Sequence, residues 1–218
     1  MSVCVPVYNG EAFLAETLRS VLDQTYRDFE LVVLDNASTD ATGRIARSFG
    51  DPRVRVERNP TTIPQPDNWR EVVRRCRAPL IKLVCADDLL HPRCLEYQVG
   101  PMEADPGLAV VAARRHMIDE RSRVLVPRRG LTGLTGVRSS VEVARHVVRS
   151  GANPIGEPGG VLFRRAHYFA VGGGPAPGCV RRSCAGAQRP PRARGRPPSG
   201  RPGTPGSAGA AGRRRTPA

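Results

Sequence analysis

Short apolar runs alternate with amphipathic segments along the first half of this 218-residue chain. The apolar runs are rich in β-branched residues, as buried parallel strands are, and between them apolar residues recur three and four positions apart, which is the helical period. This alternation predicts an α/β fold with an open, mostly parallel sheet covered by helices on both faces. The predicted strands are residues 2–7, 29–34, 54–56, 80–85 and 108–113.

Four helices are predicted between these strands. The first covers residues 11–24 with Asn9 as its cap, and the second is capped by Ser38 or Thr39 and stopped by Gly50. The third follows Asp67, and the fourth has Pro92 in its first turn.

Polar groups follow three of the predicted strands. Residues 6–9 follow the first strand, Asp35 ends the second, and the adjacent Asp87 and Asp88 end the fourth. Because the carboxyl ends of parallel strands meet at one edge of a sheet, these groups predict a ligand-binding crevice. Two neighbouring carboxylates indicate a hard cation with an anionic ligand, although such a pair also occurs at helix N-termini and in solvated turns. The chain has neither GxGxxG nor GxxxxGK[ST], which argues against dinucleotide oxidoreductases and P-loop NTPases.

The net charge of +14 is unevenly distributed. All 20 acidic residues lie between Glu11 and Glu157, whereas residues 174–218 contain ten Arg, nine Pro, nine Gly and no acid, so residues 1–173 carry only +4. We therefore predict one domain at 1–173 and a disordered tail at 174–218. The abrupt change suggests a frameshift, a hypothesis that the other two reading frames after codon 173 would test. The tail has no aromatic residue to stack on a base, so no specific nucleic acid partner is expected, and an Arg-rich nucleic-acid-binding protein is a remaining alternative.

Cysteine usage and hydropathy bear on the compartment. The six Cys form no CxxC pair and are predicted to be free thiols, most of them buried, in a reducing environment. No apolar run approaches the roughly 18 residues of a membrane span, and no leader precedes the first strand. These features predict a cytoplasmic protein.

Several motifs in a fixed order resemble the glycosyltransferase family 2 domain, which has the GT-A fold. They lie within residues 2–173, at 2–9, 18–26, 30–40, 68–69, 82–90, 153–158 and 161–165. The resemblance implies an enzyme that moves a sugar, with inversion, from a nucleotide-diphosphate sugar to an acceptor hydroxyl. It also implies a saccharide or lipid-linked acceptor, a role in surface polysaccharide or glycolipid synthesis, and a location that is compatible with peripheral association at the inner face of the membrane.

The resemblance assigns donor-binding roles to particular residues. Asp35 matches the position that accepts hydrogen bonds from the nucleotide base, although a strand-end Asp can equally cap the Ser38 turn. Asn68 begins a helix beside the donor pocket, and the adjacent Trp69 is expected in the core rather than as a sugar platform. The wall of the pocket is formed by Pro6, Val7, Tyr8 and Asn9.

Asp87 and Asp88 match the family's metal motif, which implies Mg²⁺ or Mn²⁺. That motif often reads Asp-x-Asp, and its first position here is Cys85. A thiol is a poor ligand for hard cations, so we expect Asp87 to carry most of the coordination and Asp88 to support it.

The general base is the weakest part of the match. The family places an acid beyond a Gly-Gly segment that here reads Val171-Gly172-Gly173-Gly174-Pro175, and no acid follows it. Glu157 is the last carboxylate and the catalytic candidate, with ordering of the loop between Gly156 and Pro158 as the alternative. A nucleotide-sugar-binding remnant with little transferase activity is therefore a second hypothesis for the function.

Overall fold

Six strands form the central sheet of the computed structural model, which describes residues 1–173. Two further strands form a separate hairpin. In chain order the strands are β1 (Ser2–Val7), β2 (Glu30–Asp35), β3 (Val54–Arg58), β4 (Leu80–Leu83), β5 (Val110–Ala112), β6 (Arg115–Ile118), β7 (Val124–Arg129) and β8 (Val161–Arg164). The helices are α1 (Leu14–Leu22), α2 (Thr42–Arg47), α3 (Gln65–Arg75), α4 (Cys94–Ala104), α5 (Ser140–Ser150) and α6 (Arg165–Ala170), and a 3-10 turn covers Pro158–Gly160.

The sheet order is β3-β2-β1-β4-β8-β5. The first four of these strands run parallel, and β8 lies antiparallel between β4 and β5. The predicted mostly parallel α/β sheet is therefore confirmed, with the antiparallel strand supplied by the chain's return after α5.

The main core packs α1 against the middle of the sheet. All six residues of β1 are buried, and Leu14, Leu18 and Val21 turn the apolar face of α1 towards this strand and its neighbours. A strand that is buried on both faces has no exposed side on which polar residues would alternate with apolar ones. The sequences of β1 and β2 are therefore continuous apolar runs.

The predicted caps of the first two helices are wrong. Helix α1 begins at Leu14, and Asn9 adopts a left-handed φ of 49° while its Oδ1 accepts a hydrogen bond from the Thr39 backbone at 2.9 Å. Ser38 is also engaged elsewhere, since its Oγ accepts the Asn9 N–H at 2.9 Å, and α2 begins only at Thr42. These side chains thus join two loops instead of capping helices.

The other two helix starts differ from the prediction by a few residues. Helix α3 begins at Gln65 after Pro64, two residues before Asp67. Helix α4 begins at Cys94, so Pro92 precedes the helix and does not lie in its first turn.

The β6–β7 hairpin and helix α5 were not predicted. All six residues of β7 are exposed, and α5 has no buried residue, so neither element shows the burial pattern on which the sequence prediction depends. A local signal for α5 does exist, because Ser139 and Glu142 form a reciprocal capping box.

Some predictions concern residues that the structure does not describe. The disordered tail, its boundary at residue 174, and Cys179 and Cys184 lie outside residues 1–173. Inside that range, Cys4 and Cys76 are buried free thiols as predicted, whereas Cys85 and Cys94 are only half-buried. None of the helices in residues 1–173 is both long enough and apolar enough to cross a membrane.

Candidate functional site

The carboxyl ends of the parallel strands meet at one edge of the sheet. Val7 lies beside Asp35 in the register of β1 and β2. The chain continues this pairing past the strands, with Asn36 N–H donating to Val7 O at 2.8 Å and Asn59 N–H donating to Asp35 O at 2.9 Å. The ends of β1 and β2 therefore meet as predicted, and β4, the parallel neighbour of β1, ends at the same edge of the sheet.

The loop after β1 forms one wall of this crevice. Pro6 and Val7 are buried, whereas Tyr8 is 46% exposed and Asn9 is exposed. The loop is held from the other side by α2, whose Thr42 Oγ1 accepts the Gly10 N–H at 2.8 Å. Tyr8 thus presents an aromatic side chain on a loop of defined shape.

Asp35 is fully buried at the base of the crevice. Its Oδ1 accepts the Ser38 N–H at 2.8 Å, and its Oδ2 forms an ion pair with Arg58. Arg58 also donates to Ser38 O at 2.9 Å and is itself about half exposed. The structure thus shows the turn-capping geometry that the sequence left open, and contact with a nucleotide base stays a prediction.

Three asparagines form a buried network behind this wall. Asn59 Nδ2 donates to Asn36 Oδ1 at 2.8 Å and to Asn68 Oδ1 at 2.9 Å. Asn36 in turn holds the next loop, since its Nδ2 donates to Ile63 O at 2.8 Å. Asn68 is only 4% exposed, so it supports the crevice from inside, and Trp69 is buried in the core as expected.

Asp87 and Asp88 follow β4 and face different surroundings. Asp87 is exposed, whereas Asp88 is half-buried and its N–H donates to Cys85 O at 3.1 Å. Burial raises the pKa of Asp88, and the charge of Asp87 raises it further, while hydrogen bonds with Cys85 and the charge of Lys82 act in the opposite direction. The loop is anchored to α1 by Thr17 Oγ1, which donates to Ala86 O at 2.9 Å.

The carboxylates of Asp87 and Asp88 are suited to bind a divalent cation that also coordinates a diphosphate. They are hard oxygen donors, and their mutual repulsion is the kind of charge excess that a cation relieves. Within residues 1–173 there is no group of three or more His, Cys, Asp or Glu side chains that could hold a metal ion. A cation here would therefore take its remaining ligands from phosphate and water, as Mg²⁺ usually does.

Glu157 lies at the start of the 3-10 turn that precedes β8. Its carboxylate forms an ion pair with Arg115, the first residue of β6. Burial lowers the pKa of Arg115, the nearby Arg129 lowers it further, and the charge of Asp88 opposes both. Arg115 thus forms an ion pair with Glu157 and also interacts with the charge of Asp88.

Sequence reasoning missed several residues that shape the site. Arg58, Arg115 and Asn59 act through partners that are distant in the chain, so no local pattern marks them. Lys82 does carry a signal, because it is the only charged residue in the apolar run of β4.

The sequence model described as "Glycosyl transferase family 2" matches residues 2–168. The chain belongs to glycosyltransferase family 2. It is 32% identical over 179 residues to the uncharacterized protein MT1568 of Mycobacterium tuberculosis (strain CDC 1551 / Oshkosh), an alignment that covers 79% of this chain and 56% of that protein. The chain thus spans about half the length of the relatives it matches.

Solved structures share the fold. The mannosyltransferase PcManGT from Pyrobaculum calidifontis, in complex with GDP-Man and Mn²⁺, matches 80% of this chain and 47% of its own length, with a TM-score of 0.57 and 23% identity. Residues 1–349 of S. aureus TarS, in complex with UDP-GlcNAc, match 78% of this chain and 46% of that structure, with a TM-score of 0.56 and 19% identity. The family 2 assignment and these likenesses together establish the GT-A type α/β fold.

Proposed function

We propose that this family 2 protein transfers a glycosyl unit from a metal-bound nucleotide-diphosphate sugar to an acceptor hydroxyl, with residues 1–173 as the catalytic domain. The observation that carries the proposal is the placement of an exposed Asp87 at the same sheet edge as the Tyr8 wall and the Asp35 turn. The nucleotide-sugar complexes of TarS and PcManGT support this class of donor.

In this proposal the nucleotide lies against the loop formed by Pro6, Val7, Tyr8 and Asn9. Tyr8 offers a ring face for stacking on the base. Asp35 lies behind the loop, where its ion pair with Arg58 and the Ser38 hydrogen bond set the shape of the base pocket. Asn68 acts indirectly, by holding Asn59 and through it Asn36.

Asp87 would be the main ligand for Mg²⁺ or Mn²⁺, and Asp88 would support it. A bound divalent cation neutralises the diphosphate and stabilises the charge that develops as it leaves. Exposure of Asp87 leaves its oxygens available to the crevice, whereas Asp88 is oriented by Cys85 and by the protein interior. The Mn²⁺ complex of PcManGT supports a divalent cation in this fold.

Glu157 is the proposed general base for the acceptor hydroxyl. It is the last carboxylate of the chain and lies on the acceptor side of the sheet, and its carboxylate is paired with Arg115. To take a proton, Glu157 would have to share or leave that ion pair, so we expect the base-dependent step to be slow.

A lipid-linked or saccharide acceptor, at the inner face of a membrane, is the proposed partner. Residues 114–150 contain nine Arg and three acidic residues, and the β6–β7 hairpin exposes apolar side chains between them. Basic residues attract anionic headgroups, and exposed apolar side chains can enter the lipid interface. The apolar side chains are Val124, Leu125 and Val126, at 55%, 63% and 43% exposure.

Calorimetry with nucleoside diphosphates, with and without Mn²⁺, tests the donor site. We expect Mn²⁺-dependent binding of UDP or GDP, lost in the Asp87→Asn/Asp88→Asn variant because two charges disappear while the shape is kept. Asp87→Asn alone should lose more affinity than Asp88→Asn alone. The exposed Asp23, at the far end of α1 from the crevice, gives the matched control Asp23→Asn. Unchanged affinity in the double variant would mean that the metal binds elsewhere.

A further inference from the structure

Lys82 is a charged residue in the middle of β4 that has no exposed surface. Its Nζ donates to Oε1 of Gln98 on α4 at 2.6 Å, and the Cys94 thiol also hydrogen-bonds to it. An ammonium group is costly to bury unless its charge is compensated. Burial accordingly lowers the pKa of Lys82.

Two neighbouring side chains oppose this shift. Interactions with Cys94 oppose it most, and the charge of Asp88 opposes it less. The effect is mutual, because the charge of Lys82 opposes the increase that burial and Asp87 cause in the pKa of Asp88. Lys82 lies in β4, directly before the loop that carries Asp87 and Asp88, and in that loop Asp88 is half-buried while Asp87 is exposed.

Gln98 extends this arrangement to the acceptor side. Its Nε2 donates to Gly160 O at 2.9 Å, an oxygen that also accepts the Ala113 N–H at 2.9 Å. Gly160 N–H donates to Glu157 O at 2.9 Å, which closes the 3-10 turn. The same turn borders Asp88, since a Cβ on Gly159 would lie 2.7 Å from Asp88 Oδ2.

We propose that Lys82 is a positioning residue and that Lys82 and Gln98 form a buried brace between the Asp87-Asp88 pair and the turn that carries Glu157. Lys82 holds Gln98, Gln98 fixes the turn, and the turn borders Asp88, so that the proposed donor and acceptor groups keep one relative geometry. The effect on donor binding rests on the proposed function, whereas the effect on the turn rests on the hydrogen bonds alone. Binding of a metal-nucleotide complex at the Asp87-Asp88 pair should therefore slow hydrogen exchange in the turn that carries Glu157.

The sharpest test is Gln98→Glu, which keeps an oxygen for Lys82 Nζ, replaces the N–H that holds Gly160 O by an oxygen that repels it, and adds a negative charge beside Lys82. Without ligand, hydrogen exchange at Ala113 and Gly160 should become about fivefold faster, the effect of losing one hydrogen bond. UDP with Mn²⁺ should protect the turn in the wild-type chain and leave it unprotected in Gln98→Glu. Lys82→Met should in addition weaken binding of UDP with Mn²⁺ by about fivefold or more.

Val99→Ala, at a buried position of the same helix, is the control for a loss of ordinary packing. The proposed brace would be contradicted if Val99→Ala accelerated hydrogen exchange at the turn as much as Gln98→Glu does. It would also be contradicted if the turn exchanged at the wild-type rate in Gln98→Glu. Unchanged or tighter binding in Lys82→Met would show that the ammonium merely repels the cation. If Gln98→Glu fails to fold, Lys82→Met/Gln98→Leu replaces both partners by apolar groups and should still show the unprotected turn. A wild-type chain that binds no nucleotide would reject the proposed function, while the exchange comparison without ligand would still decide on the brace.

Discussion

Residues 1–113 and residues 114–173 are built in opposite ways. The first region has thirteen basic and sixteen acidic residues, whereas the second has eleven basic and four acidic residues. Within residues 1–173, every buried hydrophobic residue except Leu162 belongs to the first region. The first region, which carries the proposed donor site, therefore contains nearly all of the core, and the second, which carries the proposed acceptor site, is Arg-rich and contributes little to that core.

The two regions are joined by polar contacts at a few places. Arg115 pairs with Glu157 beside Asp88, and Ser122 Oγ at the tip of the hairpin donates to Glu16 Oε1 on α1 at 3.1 Å. Such contacts orient groups but add little stability at an exposed surface. We infer that donor binding depends on the fold as a whole, whereas acceptor geometry depends on individual polar contacts.

The largest expected difference is between donor binding and transfer. We predict that the chain binds a nucleotide sugar with Mn²⁺ but transfers the sugar slowly, because general-base assistance is typically worth about 10² to 10⁴ in rate and no carboxylate follows Glu157. The measurement is glycosyl transfer by this chain beside a version with the reading frame corrected after codon 173.

Glu157→Gln in the chain as given serves as the control for this prediction. If Glu157 supplies the remaining base function, its loss should reduce the residual rate without changing donor affinity. Equal and high rates in the given and frame-corrected chains would show that Glu157 or an earlier acid suffices.

The second prediction compares the same substitution in the two regions. Leu18 is fully buried and Leu125 is 63% exposed. Leu18→Ala should lower the free energy of unfolding by about 2–5 kcal/mol, because it leaves a cavity in the core. Leu125→Ala should change it by less than about 0.5 kcal/mol, as surface substitutions usually do. Urea unfolding of both variants measures the difference, and a large cost at Leu125 would show that something covers the hairpin.

A third prediction tests the acceptor-side surface against lipid. Replacing Val124, Leu125 and Val126 with Ser should weaken binding to vesicles that contain about one third anionic lipid by about tenfold, because the apolar contact is lost while every Arg is kept. The control is Tyr97→Ser/Val171→Ser, which removes exposed apolar side chains outside the hairpin.

A local reporter separates the hairpin from the Arg-rich residues 174–218. Leu125→Trp should show a blue-shifted emission on anionic vesicles, after subtraction of the signal from Trp69, the only other Trp. An unshifted spectrum, or equal binding by the Ser variant, would remove the hairpin from the membrane proposal.

The smallest effect concerns acid stability in the donor-side region. Burial raises the pKa of Glu30, but hydrogen bonds from Ser2, the Arg77 backbone and Arg55 outweigh it, so the net shift is downward. A lowered pKa stabilises the fold above the unfolded value of about 4.3, and this contribution is lost as the pH falls through the folded value. Glu30→Gln should therefore flatten the pH dependence of stability below about pH 5, by about 1 kcal/mol or less. Thermal unfolding between about pH 3 and 7 measures it, and an unchanged slope would contradict the assignment.

Most of the donor-side fold could be predicted from the sequence, and most of the acceptor side could not. Strands such as β1 are continuous apolar runs, and α1 repeats its apolar residues at the helical period. The buried positions of these elements can therefore be recognised from the local sequence. The hairpin and α5 bury little, and the pairing of Asn59 with Asn68 or of Lys82 with Gln98 depends on how distant segments meet. The apolar run before Asp87 predicts its position at the end of a strand, whereas the ion pair between Glu157 and Arg115 joins residues 42 positions apart and has no local sign in the sequence.

The left-handed backbone at Ala37, with φ 58°, narrows what substitutions this rim of the crevice can accept. Glycine reaches that conformation freely and Asn or Asp at low cost, whereas β-branched side chains are strained there. Position 37 should therefore tolerate a small, chemically unusual set of residues even though Ala37 has no role in the proposed chemistry. In a library of variants selected for nucleotide binding, the residues accepted at position 37 would therefore depend on the backbone conformation of the loop and not on a side-chain contact with the nucleotide.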